Sequence, residues 1–209
     1  QIGTLSGNFS TNHSVSSDSA SYGGALYNQT YSEYQGNPAI GYIESINGDF
    51  TQNYTSGALN SLGGAIMNRG KIDAITGDFI GNHANSSAFQ ARGGAISNDV
   101  NSSSTTKIAE IGSITAKDKG FKDNYVYSIG HSVLGGALIN RVGKITSVNA
   151  DFTGNYAKTD AATYKASGGA IYNGRSTIDD ITGDFSSNYA LSVSHASGGA
   201  INNNNAGEI

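Results

Sequence analysis

The chain has 209 residues, with 12 basic and 16 acidic groups, 29 Gly, one Pro, one Met and neither Cys nor Trp. Without Cys there is no disulfide framework and no Cys-ligated zinc or iron–sulfur site. A net charge of −4 argues against a nucleic-acid footprint, and no apolar run reaches the length of a membrane helix.

The placement of the glycines carries the information. From the N-terminus onward one unit recurs: an aliphatic pair at i, i+3, then Phe-x-x-Asn, then a variable stretch, then Gly-Gly-Ala-Ile/Leu-x-Asn. The first copy holds Phe9 and Asn12, then Gly23, Gly24 and Asn28. An insert from Gln29 to Tyr42 follows, with Tyr31, Glu33, Tyr34, Tyr42 and the only proline, Pro38. The second copy has Phe50, Asn53, Gly63, Gly64 and Asn68. The third starts at Ile72 and Ile75, carries Phe79, Asn82, Gly93, Gly94 and Asn98, and precedes an insert from Asp99 to about Lys107. The fourth has a few extra residues around Lys117-Asp118-Lys119, then Phe121, Asn124, Gly135, Gly136 and Asn140. The fifth runs from Ile145 and Val148 through Phe152, Asn155, Gly168 and Gly169 to Asn173. The sixth runs from Ile178 and Ile181 through Phe185, Asn188, Gly198 and Gly199 to Asn203. The period is about 30 residues, stretched to about 41 where an insert intervenes.

These units are poor in helix formers and rich in Gly, Ser, Asn and Thr, which helix interiors disfavour. Short apolar runs bounded by Gly, Asn and Asp read as strands. The pattern predicts an all-β fold, a parallel right-handed β-helix of about six coils with three short strands each. It forms a single block over 1–209, with coils stacked roughly 4.8 Å apart in a rod on the order of 30 Å long. No coil buries its apolar face alone, so stacking makes the core. Equivalent positions become columns: Phe and Ile/Leu inside, two Asn columns at turns bonding coil to coil, and Gly-Gly at a sharp corner.

The columns also sort the chemistry-bearing residues. His13 and His83 share a position with Tyr54, Tyr125, Tyr156 and Tyr189, so they are packing residues. His131 and His195 fall in variable stretches and read as solvated. The residue before Phe is Asp49, Asp78, Asp151 or Asp184, and Asn8 in the first copy. Gly-Asp is turn chemistry, although stacked carboxylates would also attract a cation. Arg69, Lys71, Arg141, Lys144 and Arg175 gather at one joint as a positive strip suited to anionic glycans, or as a solvated edge. No motif implies a cofactor or a catalytic set; the acidic pair Asp179-Asp180 lacks an evident partner. The expected binding residues are Tyr31, Glu33, Tyr34 and Tyr42 in the first insert. Tyr27 and Tyr172, at the outward x of Gly-Gly-Ala-Ile/Leu-x-Asn, extend that surface.

Alternating Gly-Gly-Ala-Ile/Leu and Phe-x-x-Asn resembles the repeats of chlamydial polymorphic membrane proteins and related autotransporter passenger domains. That resemblance implies a non-enzymatic bacterial adhesin, secreted to the cell surface, with a host-cell receptor, a glycan or its own kind as partner. Attachment to the outer membrane would then run through a C-terminal barrel that this stretch does not contain, and the stretch reads as a block of a longer array. Chlamydial members usually carry Cys, so a passenger from another bacterium fits better. The alternatives are a carbohydrate-active β-helix enzyme and a purely structural stalk.

Overall fold

A computed structural model describes residues 1–34, 37–100, 109–204 and 207–209, with backbone alone at 31–34 and 37–39. The described residues contain no helix and form five six-stranded sheets, each taking one strand from every coil. Every pairing within these sheets is parallel and runs from one coil to its neighbour, as Phe50 with Phe79 and Asn68 with Asn98 illustrate. The chain is a parallel β-helix of six coils.

Each coil has five short strands where the sequence predicted three. In the second coil these are Tyr42–Asn47, Phe50–Thr51, Tyr54–Gly57, Ser61–Leu62 and Ile66–Asn68. Two bends divide the expected strands. The second x of Phe-x-x-Asn has positive φ in all six coils: Thr11, Gln52, Gly81, Asp123, Gly154 and Ser187, with φ from 54° to 67°. The first Gly of each Gly-Gly pair is also left-handed, with φ from 51° to 68°. A strand cannot pass through either point.

Inside the rod, Phe9, Phe50, Phe79, Phe121, Phe152 and Phe185 stack face to face at 4.6–4.9 Å, within 4° of parallel. The inner four are fully buried with the aliphatic pairs, such as Ile72 with Ile75 and Ile111 with Ile114. At each Phe-x-x-Asn turn the side-chain NH2 donates to the next coil's Asn Oδ1 at 2.9–3.0 Å, continuously from Asn12 through Asn53, Asn82, Asn124 and Asn155 to Asn188. A second ladder runs from Asn28 through Asn68, Asn98, Asn140 and Asn173 to Asn203, at 2.8–3.0 Å. Nine of these twelve amides are buried, and a buried amide must be bonded, so the ladders fix the coil register.

On the outside, His13, Tyr54, His83, Tyr125, Tyr156 and Tyr189 form a second ring stack at 4.6–5.1 Å. The four inner rings are covered on both faces by their neighbours, so this ladder packs coils. Burial between Tyr125 and Tyr189 pushes the Tyr156 phenol up to about 12.

Candidate binding cleft at the Gly-Gly corner

The second Gly of the first five pairs lies against the next coil. A Cβ on Gly94 would sit 2.1 Å from the Gly136 carbonyl oxygen and 2.5 Å from that of Tyr125. The left-handed first Gly, whose Cβ would meet the carbonyl three residues on (Ile66 for Gly63, at 2.1 Å), bends the strand before the pair toward the strand after it, so their outward side chains meet in a concave corner. Alternation points Leu62, Met67, Leu134, Ile139 and Tyr172 away from the core, yet all five are buried, with Tyr172 only 5% exposed. Leu134, Ile139 and Tyr172 form an apolar cluster separate from the main core.

All four arginines of the chain lie along this corner, one per coil in coils two to five. The Arg69 guanidinium lies 4.7 Å over the Tyr22 ring and donates to the Tyr27 hydroxyl at 2.8 Å. Arg92 donates to the buried Asp99 carboxylate at 2.7 Å and to the Gln90 side-chain oxygen. Arg141 gives its Nε to both oxygens of Asp99, at 3.0 and 3.1 Å. Burial holds the Arg92 guanidinium below its ordinary range, against the pull of Asp99. Arg175, left-handed at φ 55°, and Lys165 reach the same space and are exposed. The result is a cleft of about 480 Å³ with Arg92, Arg141, Lys165 and Arg175 around it and Leu134 and Tyr172 in its wall.

The expected site residues divide. Tyr172 lies in the cleft wall, covered by the facing strand and not displayed, and Tyr27 partners Arg69 at one end of the corner. Tyr42 belongs to a regular strand; its hydroxyl donates to the Asp73 carboxylate, a bond that raises the phenol above its ordinary value. Tyr31, Glu33 and Tyr34 fall on strand Tyr31–Tyr34, which pairs antiparallel with Asn37–Ala39; their side chains lie outside the described residues, as do residues 101–108 of the second insert. The joint itself is regular: Asn28-Gln29 leads into Gly41-Tyr42 as Asn68-Arg69 leads into Gly70-Lys71, with Tyr42 registered against Lys71.

The positive strip also divides. Lys71 and Lys144 sit on the outer face of the aliphatic sheet, paired with Asp73 at 3.3 Å and Asp179 at 3.1 Å, while the arginines turn into the corner. Asp179 is thereby engaged, and Asp180 accepts from the Thr182 hydroxyl at 3.3 Å. His131 is not a solvated loop residue: its ring stacks 3.9 Å from Tyr164 and 4.4 Å from Phe89, and its Nδ1 accepts the Ser132 amide. The acidic column is a backbone device. Asn8, Asp49 and Asp151 each accept the next coil's amide, from Asp49, Asp78 and Asp184 at 2.8–3.1 Å. Asp78 Oδ1 gathers four amides, from Lys117 to Gly120, and so anchors the extra residues of the fourth coil. Burial pushes the Asp49 carboxyl up, but the Asp78 amide and the Lys117 ammonium outweigh it and leave it below its ordinary value.

Sequence reading missed Arg92, Asp99 and Lys165 as site residues. The available signal was that every Arg lies within two residues of a Gly-Gly-Ala-Ile/Leu-x-Asn motif. Comparison with protein-family models, curated proteins and solved structures returns no match to this chain.

Proposed function

We propose that the chain is a segment of a non-enzymatic bacterial surface adhesin of the autotransporter-passenger kind. In this reading a rigid β-helical rod is displayed outside the cell and binds a host-cell receptor or glycan. The observation that carries it is the division of labour among the columns. The Phe, Asn and ring columns are used up in stacking, while the Gly-Gly corner is concave, cationic and different in every coil. The first insert, with its antiparallel strand pair, leaves from the joint that Arg69 occupies in the next coil, beside the corner. Loops on a rigid scaffold commonly carry recognition.

The test is saturable binding of fluorescently labelled protein to cultured host cells, compared with a variant lacking residues 30–40. That deletion restores the regular joint, because Gln29 and Gly41 already touch. The expected result is weakened cell binding with unchanged β-type circular dichroism. A second reading, a structural stalk, draws on the same continuous ladders; wild-type protein that shows no saturable binding would favour it.

A further inference from the structure

We propose that the Gly-Gly corner cleft binds an acidic saccharide, seating its carboxylate or sulfate group among Arg141, Lys165 and Arg175. This deepens the adhesin reading and rests on it only for where the ligand is found. Among the described residues four cations border the cleft and no carboxylate lines it; Asp99, which pairs with two of those cations, is only 2% exposed. Asp99 therefore acts as a brace. It fixes Arg92 and Arg141 without closing the cleft, and Arg141 spends only its Nε on it. Both Nη groups of Arg141 remain as a planar fork, the geometry that grips a carboxylate or sulfate through paired hydrogen bonds.

Elsewhere on the rod, Lys71, Lys117, Lys144 and Lys158 each pair with an aspartate, while Lys119 and Lys122, among the described residues, make no such pair and do not border this cleft. Among the described residues, Lys165 and Arg175 make no side-chain hydrogen bond or ion pair, although both border the cleft. The volume of about 480 Å³ falls within the range of small-ligand sites. Leu134 and Tyr172 give an apolar wall, and Gln90 and Ser132 add polar groups beside it. That mixture matches a sugar ring, which carries hydroxyls and C–H faces together. A nucleic acid fits less well: the chain is net acidic, and the only aromatic ring in the cleft is almost covered.

The experiment is calorimetric titration with four probes: a heparin-derived octasaccharide, its desulfated form, a neutral dextran oligosaccharide and a single-stranded oligonucleotide. The expected result is binding of the first, or of the first two, that weakens with salt, with no binding of dextran or the oligonucleotide. Retention by the desulfated form identifies the carboxylate as the seated group, and its loss identifies sulfate. The double variant Lys165→Gln, Arg175→Asn should weaken binding at least about tenfold, whereas Lys144→Gln should leave it unchanged. Asn tolerates the left-handed backbone at 175, and an unchanged melting curve certifies the fold. Equal affinity in the double variant, binding of dextran or the oligonucleotide as tight as that of heparin, or no binding of any probe overturns the proposal. Cell binding that survives the double variant rejects the cleft and spares the adhesin. Saccharide binding without cell binding does the reverse.

Discussion

Asn124→Ala tests what holds the coils together. The Asn124 side chain accepts from the Asn82 backbone N–H and from Asn82 Nδ2, both at 3.0 Å. It donates to the Phe79 carbonyl at 2.8 Å and to Asn155 Oδ1 at 2.9 Å. Alanine removes all four bonds. Asn82 Nδ2 keeps the Phe50 carbonyl and Asn155 Oδ1 keeps the Asn124 amide, but the buried Asn82 N–H loses its partner. That orphan alone costs about 1–3 kcal/mol, and with the other lost bonds the total is about 3–5 kcal/mol. At the open end of the same column, Asn12 is exposed and its side chain makes one bond, to Asn53 at 2.9 Å, so Asn12→Ala should cost less than about 1 kcal/mol. Native-state hydrogen exchange at the Asn82 amide reads the local effect without assuming that a repeat array unfolds in one step. Protection there should fall roughly 100-fold or more in Asn124→Ala, at 1.4 kcal/mol per decade, and stay near wild type in Asn12→Ala. Equal losses in the two variants would refute the claim that the ladder is cooperative and buried.

Gly94→Ala should fail to fold or separate coils three and four, because its Cβ would meet the backbone of Gly136 and Tyr125 in the fourth coil. Gly81→Ala, left-handed at φ 63° with only the Gln52 side chain at 3.6 Å, should cost about 1–2 kcal/mol by chemical denaturation; similar behaviour of the two variants would remove the close approach as the reason for the glycine pair. Burial in the ring ladder lowers the His83 pKa, with the Gly81 carbonyl opposing, and burial followed by repulsion from Arg92 lowers that of His131. The unfolded chain therefore takes up protons first as pH falls through about 6.5, and stability present above that value is lost on the way down. The melting temperature should drop between pH 7.5 and pH 5.5, and less steeply in His83→Tyr, which installs the ring used by four other coils. An unchanged slope in that variant would clear His83 of the effect.

Most of the scaffold was legible because a solenoid writes each structural demand once per coil. The period, the Phe stack, both Asn ladders and the Gly-Gly corners follow from residues that recur in every copy. The five-strand subdivision was not legible, because the left-handed residue after Phe-x varies among Thr, Gln, Gly, Asp and Ser and carries no fixed letter. The cleft was hidden for a related reason. Arg92 and Arg141 lie 49 positions apart in the chain and meet only because Asp99 pairs with Arg141 across one coil step. The first insert attracted attention by its composition, yet Tyr42 is an ordinary strand residue.

Variation between coils then separates scaffold from site. Positions that serve stacking are uniform: six Phe, six Asn and six Asn again. The two columns that face the corner are not. One reads Tyr22, Leu62, Arg92, Leu134, Ser167 and Ser197. The other reads Tyr27, Met67, Ser97, Ile139, Tyr172 and Asn202. A column needed only for packing keeps one kind of side chain, Phe in the core stack and a flat Tyr or His ring in the outer one, since each coil presents the same cavity to the next. These two columns share a backbone register with the ladders, yet no two coils carry the same pair of residues at the corner, so stacking does not dictate their side chains. That freedom coincides with concavity, with the four arginines and with the joint from which the first insert departs. On a rod whose other columns are fixed by stacking, the corner is where a binding specificity can be written without disturbing the fold.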